Sequence, residues 1–185
     1  MQINGDASHR FWKSCAAGLV GGLLMAACMM AVMGVTGRGF FTPLNLIAAV
    51  FPPFRPIVSG FQPVAAAIGL IGHLLVSVLW AACLGWVNRF LFPNLFRASW
   101  SQVSVGLALG FAAWVLTGLR LGPALDPALR MMPPVYAFLA HLVYGLATAT
   151  VLWAWAGRPA PENPDRIPDG IEPRGDPGGW GLPAR

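Results

Sequence analysis

Apolar positions along this chain come in long, unbroken runs. They do not show the alternating or amphipathic patterns of a water-exposed domain. The stretches 14–37, 56–88, 98–119 and 131–157 contain no Asp, Glu, Lys or Arg. About 20 apolar residues cross a bilayer core as a helix. The pattern therefore predicts four transmembrane helices, near 14–36, 63–87, 101–120 and 134–156. Pro63 and Pro134 stand at helix starts, where a missing N–H is tolerated. Pro123 and Pro127 follow the third helix as stop signals. Aromatic residues mark the edges: Phe11 and Trp12, Trp86 and Phe90, Trp100, Trp153 and Trp155. The fold class is all-α: a polytopic four-helix transmembrane domain over 1–157 and a polar tail over 158–185.

Composition sharpens this picture. The chain is 56% hydrophobic and only 10% charged, against about 25% charged in an ordinary soluble domain. The net charge of +5 does not imply nucleic acid. The eight basic residues of the body, Arg10 to Arg130, stand singly between apolar runs, as membrane-edge residues do. Five of the seven acids lie in the tail, among prolines and glycines. Such a segment cannot bury enough apolar surface to fold alone. Any order in it would come from a partner, with Trp180 as the anchor. Met25-Ala26-Ala27-Cys28 has the look of a lipoprotein cleavage site, but the apolar run continues well past Cys28, too long for a signal segment.

The connection 38–62 stands apart. Its apolar stretch 44–51 is too short to span and is flanked by prolines. That pattern suits a short interfacial or re-entrant helix, serving as a lid or partner contact, or a loop in the headgroup region.

Small residues recur at four-residue spacing, interrupted once by Met30 and once by Trp114. The sets are Gly18, Gly22, Ala26 and Gly34; Gly69, His73, Ser77, Ala81 and Gly85; Gly106, Gly110 and Gly118; and Ala137, His141, Gly145 and Ala149. These stripes let helix backbones approach closely in lipid. His73-Leu74-Leu75-Val76-Ser77 parallels His141-Leu142-Val143-Tyr144-Gly145, which predicts two tandem helical hairpins, 14–87 and 101–156.

The two histidines are the candidate chemistry. Ionisable groups inside a membrane are costly and mark functional sites. Paired imidazoles suit a b-type haem or a quinone site. The bland reading is that each bonds to a hydroxyl or carbonyl of a neighbouring helix, Ser77, Thr117, Thr148 and Thr150 being available. No catalytic set or metal cluster stands out, and the three cysteines form no disulfide framework. Asp126 reads as a structural loop residue able to pair with Arg120 or Arg130.

Gly106-x-x-x-Gly110…Trp114, Gly122-Pro123…Pro127 and Ala140-His141-Leu142-Val143-Tyr144-Gly145 together resemble a group of uncharacterised small bacterial membrane proteins. These have four helices, the last of His-Leu-x-Tyr-Gly type, and the likeness covers roughly 14–156. The resemblance implies the fold and brings no activity.

The sequence reading favours a non-catalytic accessory or scaffold subunit of a larger bacterial membrane complex, respiratory or photosynthetic, with no cofactor. The alternatives are a small haem b or quinone-site protein using His73 and His141, and a small transporter or channel. The last is disfavoured by spans that lack charged residues. Basic residues near the membrane slightly favour both termini in the cytoplasm of a bacterial inner-membrane protein.

Overall fold

The computed structural model describes residues 3–51, 60–90 and 99–156. The tail with Trp180, the loop between the second and third spans and the proline-bounded segment after Phe51 lie outside the described residues. Among the described residues, four helices are long and apolar enough to cross a membrane: Phe11–Val35, Pro63–Asn88, Gln102–Leu125 and Pro134–Trp155. The protein is an all-α, four-helix bundle of multi-pass membrane type, as the uncharged runs predict.

The elements in order are α1 (Ile3–Val35), α2 (Thr42–Ala48), α3 (Pro63–Phe90), α4 (Ser99–Ala113), a π-helical segment (Trp114–Leu121), α5 (Gly122–Leu125), a 3-10 turn (Pro127–Met131) and α6 (Pro134–Ala156). The third span is therefore not one regular helix, a departure from the sequence reading. Its cause is Pro123. A proline inside a helix removes one backbone donor and clashes with the carbonyl four residues back. The chain widens ahead of it instead of breaking, and the Gly122 N–H reaches five residues back to the Thr117 carbonyl. The Thr117 hydroxyl donates to the Ala113 carbonyl at the start of the widened stretch. Asp126 is a cap, its carboxylate accepting from the Ala128 N–H at 2.7 Å.

At the end of α1, Gly37 takes a φ of +71°, and the Arg38 N–H bonds back to the Met33 carbonyl at 2.9 Å. This αL stop turns the chain into α2. That short helix is not a surface loop. Thr42, Pro43, Leu44, Asn45, Leu46 and Ala48 are all buried, and α2 lies on α3 where Gly69 leaves room for the Leu44 carbonyl.

Packing follows the small-residue stripes. Helix α1 lies against both α3 and α6, and α4 against α6, whereas α3 and α4 scarcely touch. The two hairpins α1–α3 and α4–α6 meet in the same register. Gly18 faces Ser77 and Val78, four and five residues past His73, while Gly106 faces Gly145 and Leu146, four and five past His141. Gly22 faces Leu74 and Gly110 faces Leu142, each one residue past its histidine. Outward side chains such as Leu75, Leu79, Phe111 and Val135 are exposed, as a lipid-facing surface requires.

A β-carbon on Gly110 would overlap the His141 carbonyl and come within 2.8 Å of the Leu142 Cα. Gly110→Val should cost at least about 1–3 kcal/mol, the range for overpacking. Gly60, with a φ of +100° and no described atom within 4 Å of an added β-carbon, should lose only about 1–2 kcal/mol on replacement by Ala. Equilibrium unfolding of both variants in mixed micelles measures the difference.

Candidate functional site

The near-absence of contact between α3 and α4 leaves a hollow in the bundle. Its volume is about 650 Å³, within the range of roughly 300–1,000 Å³ typical of small-molecule sites. One wall is α3, with Gly72, His73, Val76, Ser77 and Trp80. The opposite wall is the π segment, with Trp114, Thr117 and Gly118. Met25 of α1 and Ala137, His141 and Tyr144 of α6 form the back. Ile47, Val50 and Phe51 on and after α2, with Pro123, Leu129, Arg130 and Met132, close the end away from the chain termini. The sides of the mouth are exposed: Val76 at 44%, Leu119 at 45% and Leu121 at 56%. In a bilayer that mouth opens onto lipid tails.

Both histidines line this one cavity. Their helices run in the same direction, and ten and seven residues separate them from Pro63 and Pro134. At 1.5 Å per residue that puts them about 15 and 10 Å along their helices.

Each imidazole has one nitrogen committed. His73 Nε2 donates to the Gly22 carbonyl of α1 at 3.0 Å. His141 Nδ1 donates to the Ala137 carbonyl of its own helix at 2.7 Å. A carbonyl can only accept, so these nitrogens carry the hydrogen. In the neutral ring the lone pair then lies on His73 Nδ1 and His141 Nε2. The neighbour-helix bond expected for a packing histidine is present at His73; at His141 the partner is intrahelical.

The hydroxyls behave alike. Ser77 Oγ donates to the His73 carbonyl at 2.8 Å, Tyr144 Oη to the Ser77 carbonyl at 2.6 Å, and Thr117 Oγ1 to the Ala113 carbonyl. Every one of these protons is spent on backbone, and the oxygens keep their lone pairs. The tyrosine bond ties α6 to α3 behind the cavity. Among the described lining side chains, the remaining donors are the Trp80 and Trp114 indoles and the Arg130 guanidinium. Trp114 Nε1 and His141 Cε1 each lie 3.7 Å from the point a Gly118 β-carbon would occupy, so the indole stands beside the imidazole. The Trp114 ring also packs edge-on against Phe138, with centroids 4.9 Å apart.

The two histidines singled out from the sequence both line the cavity. Tyr144, Trp114 and the Gly22 carbonyl were not read as part of the site, although a bulky Trp114 interrupting the Gly106, Gly110, Gly118 stripe was a usable signal. Among the described residues no group of three or more His, Cys, Asp or Glu side chains is placed to hold a metal ion. The free cysteines Cys15, Cys28 and Cys83 are not among the cavity residues. Comparison with protein-family models, curated proteins and solved structures gives no match to this chain.

His73 joins two helices and His141 does not. His73→Ala should therefore lower stability by about 0.6 kcal/mol, with an upper end near 2, as intramembrane hydrogen bonds do. His141→Ala should leave unfolding nearly unchanged. Parallel unfolding curves of the two variants check this asymmetry, and equal losses would contradict it.

Proposed function

We propose that the protein binds a lipid-soluble ring compound of quinone type, with its head group between His73 and His141. The observation that supports this reading is the cavity's sideways opening between α3 and α4. A ligand dissolved in the membrane reaches such a site without crossing water. The walls are apolar, as an isoprenoid-like tail requires, and the polar groups gather at the histidines.

The geometry favours this over a haem. Bis-histidine ligation through Nε2 would require His73 to give up the Gly22 carbonyl, whereas a hydrogen-bonded ring ligand uses the nitrogens left over. A transporter or channel draws less support, because the spans carry no Asp or Glu and only Lys13 and Arg120 among basic residues, each near a span edge. The second reading is an accessory subunit of a respiratory or photosynthetic complex. It is favoured by the lipid-exposed apolar faces and the edge aromatics, with the tail and Trp180 as the proposed partner contact.

Protein purified in mild detergent and extracted with organic solvent should release a quinone at about one per chain, measured by mass spectrometry. Val76→Trp, which places an indole at the mouth, should reduce that yield at least several-fold. Extraction at the level of bulk membrane lipid would refute the binding role. Elution in a larger, stable assembly would support the accessory reading.

The placement we propose is the bacterial inner membrane with both termini cytoplasmic. With four spans, chain order assigns Arg10, Lys13, Arg89, Arg97 and Arg158 to the side of the termini, and Arg38, Arg55, Arg120 and Arg130 to the other. A periplasm-active reporter fused after Arg158 should be silent, and strong activity would reverse the orientation.

A further inference from the structure

Resting on that reading, we infer that the site prefers the reduced ligand: it is a quinol site, holding a ring hydroxyl that donates to an imidazole lone pair. The imidazole and hydroxyl hydrogens of the cavity wall are already committed. His73, His141, Ser77, Thr117 and Tyr144 are five polar side chains on the lining, and each has its proton directed to a backbone carbonyl. What they present to a guest is lone pairs.

A quinone carbonyl is also a lone pair. Set against this wall it leaves acceptor facing acceptor, and a desolvated acceptor without a donor is costly. A quinol hydroxyl both donates and accepts. It gives its proton to the free nitrogen of His141 or His73, and its oxygen accepts from the Trp114 indole N–H beside His141. Among the described side chains at the level of the histidines, the quinone can use only that indole. The other described donors on the lining stand on backbone set apart from the histidine level. Trp80 is seven residues beyond His73 on α3, about 10 Å along the helix, and Arg130 belongs to the 3-10 turn at the end of the cavity away from the chain termini. As neutral rings, neither His73 nor His141 can turn donor toward the ligand without releasing the carbonyl that fixes it.

The test uses the full-length protein in lipid nanodiscs under strict anaerobiosis. It is incubated with decylubiquinone or with decylubiquinol, the bound fraction is recovered and quantified, and empty nanodiscs are subtracted. The expected result is a dissociation constant at least roughly tenfold lower for the quinol. That ratio corresponds to a midpoint potential of the bound two-electron couple raised by about 30 mV. His141→Leu should bring the ratio toward one by weakening the quinol alone. Trp114→Phe should weaken both forms, since each accepts from that indole, and leave the quinol the tighter ligand; a quinone that then bound as tightly as the quinol would count against the inference. Equal affinities, or tighter binding of the quinone, would overturn the inference while leaving the binding role intact. If neither form binds above the empty-disc level, the binding role falls and this inference with it. Should either variant fail to fold, the wild-type ratio decides.

Discussion

In lipid, two helices attract one another only as far as their backbones can close on each other, because apolar side chains are as well solvated by lipid tails as by protein. Glycine sets that distance here. Gly18 and Gly22 seat α3 on α1, Gly106, Gly110 and Gly145 seat α6 on α4, and Gly21 seats α6 on α1 against Tyr144 and Thr148. The pair α3–α4 has no such seat. The cavity is thus the remainder of a packing scheme: three helix contacts are closed by glycine, and the fourth side of the bundle stays open.

The third span completes the site because it is not regular. A proline at position 123 would break a helix in water. In a membrane the freed groups must be satisfied within the protein, and the π-helical widening from Trp114 to Leu121 does so through the longer Gly122-to-Thr117 bond. Single π turns often occur at functional positions. In this protein the widening brings Trp114, Thr117 and Gly118 onto the cavity wall opposite His73. The matching stretch of the first hairpin, in α1, is ordinary α-helix. The two hairpins share their crossing register but differ at the level of the histidines.

Much of the fold was legible in the sequence. Uncharged runs gave the spans to within a few residues, since charge exclusion by the bilayer is a strong and local constraint. The four-residue spacing of small side chains gave the crossing faces. The buried seating of α2 was not legible, because it depends on Gly69 lying opposite the Leu44 carbonyl, a contact between segments far from any repeat pattern. The π segment was missed because Gly122-Pro123 reads equally as a helix end. At the site, the two histidines stood out as ionisable residues in apolar runs. Their tautomers could not be read, because these follow from two carbonyls, Gly22 and Ala137, and every residue has a carbonyl.

Gly22 carries two duties that are separate in most proteins. Its missing side chain admits Ser77 and Leu74, and its carbonyl decides which nitrogen of His73 holds the hydrogen. Any side chain added there pushes α3 outward and pulls the carbonyl from the imidazole in one movement. A lesion in packing would then look, from outside, like a lesion in chemistry. Genetic screens that sort residues into structural and functional classes would place Gly22 in both, and a revertant on α3 that restored the helix spacing would restore the proton's position as well.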